Sequence, residues 1–267
     1  MSKKPARPTG VLKGTNVVRS ITGMPELRDP FVFKFPTRKE DAEELAMKGL
    51  ITELSKRYVQ YEFVNHSRHP KEDGPDFDVM WNGNVAHVEL TEYAPLKGPY
   101  ESAKRVFTAE EMARGLEERV LVKNSNYARR GIKPMFLLLY VTDDAFYVTE
   151  EVLLLLAYYL QFHADIIFEA IFFVAFWPDG RPHMRMPFPP REDLRLRDMS
   201  HISKQQVINL DVSDSELIAS DVGEQTITVR QNLPPGADLR LLPDSLKAHI
   251  PGFEALITEL QKKNNRV

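Results

Sequence analysis

The chain has 267 residues, 43% of them hydrophobic, with a formal charge of −3 and no cysteine. That length and composition can bury a substantial core, and the missing thiols exclude disulfides, a cysteine nucleophile and cysteine-ligated zinc, iron–sulfur or haem, so any metal must use oxygen and imidazole. Global charge does not favour nucleic acid, no apolar run approaches the ~18 residues of a membrane span, and the start Met1-Ser2-Lys3-Lys4 lacks a signal-peptide core, so a cytoplasmic protein without a membrane partner is expected.

Residues 1–30 hold Pro5, Pro8, Gly10, Gly14, Gly23 and Pro25 among scattered bases and read as an extended N-terminal arm. Thr37 with Glu40 suggests a capping box, and Ala46, Met47, Leu50, Leu54 and Tyr58 then recur at helical spacing, with Glu43 inside the apolar stripe. An acid there either faces inward or serves the positive end of the helix. Residues 58–64 alternate like a strand, and 65–74 read as a polar connection.

The most informative stretch is 74–92, where two alternating runs flank Asn82-Gly83. Both residues tolerate the positive φ of a type I′ turn, so this is a β-hairpin. Strand alternation puts Asp76 and Asp78 on one face, and His87, Glu89 and Thr91 on one face of the returning strand. Gathered carboxylates repel one another unless a cation or a proton-transfer task compensates, which makes the hairpin a metal-site hypothesis. Asp78 reads as a second ligand or as a solvated edge residue. His66 and His69, three apart on a loop, read as surface histidines or as a pair able to take a transition metal, and His87 as a base, a ligand or a packed histidine.

Residues 108–127 predict a second long helix ended by Gly131 and Pro134, and 135–141 a central strand covered on both faces. Residues 148–162 read as a third helix whose leucines 153–156 exceed one face, and 166–177 as another central strand. The prolines after Trp177 suggest a linker or wrapping segment, with a docked helix near 253–262. The domains expected are an arm at 1–30, an α/β domain at 31–177, and a linker with a docked accessory segment at 178–267. Phosphate-cradling glycine loops and a G-x-S-x-G elbow are absent.

Helix, three-strand meander, helix and strand in that order, with Pro75-Asp76 on the second strand and Glu89-Leu90-Thr91 on the third, resemble the PD-(D/E)XK, or restriction-endonuclease-like, nuclease superfamily over residues 37–142. The resemblance implies an α/β fold with an α-β-β-β-α-β core, its mixed central sheet flanked by helices. It also implies metal-dependent hydrolysis of phosphodiester bonds in DNA, with Asp76 and Glu89 as ligands of Mg2+ or Mn2+ and Glu43 as an auxiliary ligand. Thr91 stands where the superfamily carries lysine, and its hydroxyl orients a water but brings no charge. Some members move the lysine to the following helix, where Lys123 has Tyr127 one turn further on; a solvated helix lysine is the other reading, and Lys97 and Lys104 are alternatives.

Arg119, Lys123, Arg129, Arg130 and Lys133 lie in an acid-free run suited to a phosphate backbone, or simply to a solvated face. Two rivals to the enzyme are a catalytically silent scaffold binding nucleic acid or a protein partner, and a regulatory protein that pairs as a homodimer through the third helix.

Overall fold

The computed structural model describes residues 35–70, 74–93, 106–142, 148–177, 180–191, 193–194, 197–208, 237–242 and 247, and, as backbone, strands at 11–14, 17–19, 25–27, 31–34, 215–221 and 226–231. Lys97, Lys104 and the expected helix at 253–262 lie outside the described residues. From the expected arm, the backbone at 11–14 pairs with 31–34, just beyond it, and 17–19 pairs with 25–27.

Six strands build the sheet that carries the fold: β1 Val64–Arg68, β2 Phe77–Trp81, β3 Asn84–Glu92, β4 Met135–Tyr140, β5 Phe168–Phe176 and β6 Pro182–Phe188. In space they run β6-β5-β4-β3-β2-β1. β1, β2 and β3 form an antiparallel meander, β3, β4 and β5 are parallel, and β6 returns antiparallel to β5. The parallel connections need crossovers, supplied by helices α2 Ala109–Ala128 and α3 Glu150–Leu160 on one face, while α1 Lys39–Arg57 covers the other. The fold is therefore mixed α/β with a six-stranded mixed sheet flanked by helices. Among the described residues no helix is long and apolar enough to cross a membrane.

β4 explains why its six residues show no alternation. Phe136, Leu138 and Tyr140 pack towards α1, whereas Met135, Leu137 and Leu139 pack towards α2 and α3, so both faces demand apolar side chains. α1 contributes Ala46, Met47, Leu50 and Leu54 to its side of the core. Leu50 is fully buried, so Leu50→Ala is expected to cost about 2–5 kcal/mol in a urea melt, with a cavity beneath α1.

Several local expectations fail for physical reasons. The capping box expected at Thr37 and Glu40 does not form, because Arg38 is the residue before the first helical turn and Thr37 lies one step outside. The box appears instead on α2, where Thr108 Oγ1 accepts from the Glu111 amide at 3.0 Å and Glu111 Oε2 accepts from the Thr108 amide at 2.9 Å.

Residues 58–64 do not form the expected strand. Val59–Tyr61 is a 3-10 turn that stacks Tyr61 on Trp81 and sets it edge-on to Phe136 and Phe172. The strand comes later, inside the expected polar connection. β1 lies at the sheet edge, is bulged between Val64 and Ser67, and is largely exposed, so it leaves no apolar alternation to read.

The proline-rich stretch after Trp177, read as a linker or wrapping segment, contains β6. α3 packs on α2 and β6, which buries Leu153, Leu155 and Leu156 within the chain. Leu154 and Tyr158 on the same helix stay only partly buried, and Phe162, just past its end, is exposed.

Candidate metal centre

The Asn82-Gly83 turn, with φ of 50° and 76°, sets the site's register. It pairs Trp81 with Asn84, Asp78 with His87 and Phe77 with Val88, which makes Asp76 and Glu89 the next step of the same ladder. Phe77, Val79, Ala86, Val88 and Leu90 join the core beneath α1. By alternation Asp76, Asp78, His87, Glu89 and Thr91 turn to the face covered by α2.

Asp76 Oδ2 accepts a hydrogen bond from the Leu90 amide at 2.7 Å. Burial raises its carboxyl, the Glu89 charge raises it further, and the Leu90 amide only partly offsets them; with a smaller push from Glu43, it is pushed up to about 6. Glu89 is buried beside it. Its Oε1 accepts from the Lys123 ammonium, and its Oε2 lies 2.5 Å from the Tyr127 hydroxyl. That hydroxyl is also 3.0 Å from the Gly74 carbonyl, so Tyr127 ties the hairpin's entry loop to Glu89. Burial, then the hydrogen bond to Glu89, holds the phenol well above its usual range. Lys123 and Tyr127 sit one helical turn apart on α2, a spacing that lets both reach one carboxylate.

Glu43 enters from α1, 2% exposed, with Lys39 Nζ 3.0 Å from Oε1 and Arg68 Nη1 3.2 Å from Oε2. Its charge is felt at Asp76, but its own oxygens are held by these two cations. Thr91 Oγ1 is buried and has no hydrogen-bond partner among the described residues. A hydroxyl left so is costly unless something small and polar meets it.

A second cluster lies beside the first. Asp78 Oδ1 is 2.8 Å from His69 Nδ1 and 2.8 Å from His87 Nδ1, and the two rings stand perpendicular with centroids 5.8 Å apart. His66 and His69 do not act as a pair, since His66 Nε2 goes to Glu44 on α1 at 3.0 Å. Gly74 makes room for His69: a Cβ there would sit 2.0 Å from the ring. Gly74→Ala is therefore expected to displace His69 from Asp78 and to lower stability by about 1–3 kcal/mol, seen as a shifted histidine NMR signal and a lower Tm.

The basic run divides. Arg119, Lys123 and Tyr127 recur at helical spacing along α2, and the guanidinium of Arg130, in the turn after it, lies 5.3 Å above the Tyr127 ring. Arg129 faces away towards Ser125, and Lys133 follows the helix; all the bases of the run except Lys123 are exposed.

No family model and no curated protein matches the sequence. Among solved structures, Pyrococcus furiosus SfsA in complex with Ca2+ matches at 11% identity over 70% of this chain and 97% of that one, with a TM-score of 0.25. At that score the likeness fixes neither fold nor function.

Chemically, the centre offers two neighbouring carboxylates, one raised by burial and repulsion, with an ammonium and a phenol at its edge. Oxygen-only donors of this kind suit a hard divalent cation.

Proposed function

We propose that this chain is a metal-dependent nuclease of restriction-endonuclease-like topology that hydrolyses phosphodiester bonds in DNA. The observation that carries the reading is the convergence of Asp76, Glu89 and Lys123 on one sheet face, with the Asp76 carboxyl pushed up to about 6. Burial causes most of that push and the Glu89 charge adds to it; a Mg2+ or Mn2+ ion shared by Asp76 and Glu89 relieves the repulsive part.

The ion, when bound, neutralises charge on the phosphate and makes water a better nucleophile. Asp76 and Glu89 hold it, and Glu43 acts as an auxiliary ligand once it exchanges Lys39 or Arg68. The Lys123 ammonium, at Glu89 rather than beside it in sequence, offers its charge to the phosphate in place of the lysine that Thr91 lacks. The unpartnered Thr91 hydroxyl orients a water. Arg119, Lys123 and Arg130, with Arg129 and Lys133 flanking, take the DNA backbone.

A silent scaffold is favoured by one observation: Glu43 and Glu89 are already paired with the chain's own cations, and residue 91 is not lysine. It would bind nucleic acid or a protein partner without cutting. Plasmid incubated with the protein and Mg2+ or Mn2+ separates the two. The nuclease reading expects cleavage that EDTA and a folded Glu89→Gln variant both abolish. DNA binding with no cleavage of duplex or single strands overturns it and leaves the scaffold, in which Thr91→Lys is the substitution expected to create cutting.

A further inference from the structure

We propose that His69, Asp78 and His87 form a second metal site, selective for zinc-class transition cations and separate from the oxygen-only pair Asp76 and Glu89. The three side chains come from the loop after β1, from β2 and from β3, and one ligand atom from each lies within 4.8 Å of the others. Two imidazole nitrogens converge on one carboxylate, 2.8 Å from the same oxygen.

Nδ1 of each ring and the carboxylate oxygen between them are all metal-ligating atoms turned towards one another. One cation would satisfy all three groups at once, the two nitrogen–oxygen separations opening from 2.8 Å to the roughly 3.4 Å that a tetrahedral ion with bonds of about 2.1 Å sets between neighbouring ligands. Imidazole suits Zn2+, Co2+ and Ni2+, whereas Mg2+ prefers oxygen and retains water, so the donor set discriminates against the ion assigned to Asp76 and Glu89.

Three features show that the arrangement is built. The hairpin register places Asp78 directly opposite His87. The absence of a side chain at Gly74 opens the space that the His69 ring fills. The backbone amide of His69 donates to the Asp76 carbonyl at 3.1 Å, which ties the backbone of the third ligand to the start of β2. The side chains remain 17–25% exposed, so an ion reaches them from solvent and three protein ligands leave coordination positions open to water. The proposal does not depend on nuclease activity.

Co2+ is the probe, because its visible absorption reports imidazole ligation. Metal-stripped full-length protein titrated with Co2+ is expected to bind one equivalent with a visible band, displaced by Zn2+ but not by millimolar-range Mg2+. His87→Gln and Asp78→Asn are each expected to weaken binding at least about tenfold while Glu89→Gln retains the band. In the wild-type protein, Zn2+ should move the imidazole NMR signals of His69 and His87 and leave that of His66 in place, a readout that needs no variant to fold. Absence of a stoichiometric band, or a band untouched in folded His87→Gln and lost in Glu89→Gln, overturns the site. Loss of plasmid cleavage with the Co2+ band intact would instead count against the nuclease reading alone.

Discussion

Lys123→Met is expected to destabilise the protein by on the order of 3 kcal/mol and to remove cleavage together with it. Glu89 is 4% exposed, and the Lys123 ammonium is its one cationic partner among the described residues. Methionine keeps the packing and deletes the charge, so the carboxylate is left in a desolvated pocket with only the Tyr127 hydroxyl. Partial exposure of Lys123 lets water recover some of this loss, which keeps the cost below that of a fully buried pair. Glu89→Gln tests the cause. In that background the same lysine substitution should cost far less, and urea melts of the four proteins give the coupling directly. Additive losses would mean that the pair contributes little.

Asp76→Asn is expected to act in the opposite direction on stability while abolishing activity. The folded carboxyl keeps its proton up to about pH 6, against 3.8 ordinarily. The native state therefore binds more protons than the unfolded chain between those values, and the contribution of Asp76 is fully present below about pH 4 and lost as pH rises through about 6. Asparagine never ionises, and it can still accept from the Leu90 amide. The variant should be the more stable protein above pH 6 by up to about 3 kcal/mol, with the gap closing near pH 4. Mg2+ should raise the Tm of the wild type and leave Asp76→Asn unmoved. Parallel pH profiles for the two proteins would show that Asp76 carries no such penalty.

Much of the hairpin was readable because a two-residue turn leaves little freedom. Once Asn82-Gly83 is placed, Asp78 and His87 fall opposite each other and Asp76 and Glu89 one step further on, so both clusters follow from counting outwards from the turn. His69 was legible as a candidate ligand but not as the partner of Asp78 and His87. It arrives from the loop after an exposed, bulged edge strand, and neither the bulge nor the sharp separation of His66 from His69 leaves a periodic signal. Central strands and helices were legible where burial is two-sided and continuous, as in β4. They failed where aromatic packing overrode alternation, as at Tyr61, or where prolines stood in an edge strand, as in β6. Helix spacing also suggested that Lys123 and Tyr127 share a face, but only the placement of α2 over β3 brings that face to Glu89.

Crystals of the full chain soaked in Mn2+ and measured at a wavelength where manganese scatters anomalously give the most direct test of the metal centre. The expected result is an anomalous peak between the Asp76 and Glu89 carboxylates, at about 2.1–2.2 Å from an oxygen of each, with the Lys123 ammonium turned away from Glu89. A map with no peak at that position, at Mn2+ concentrations that support or fail to support cleavage alike, would contradict it.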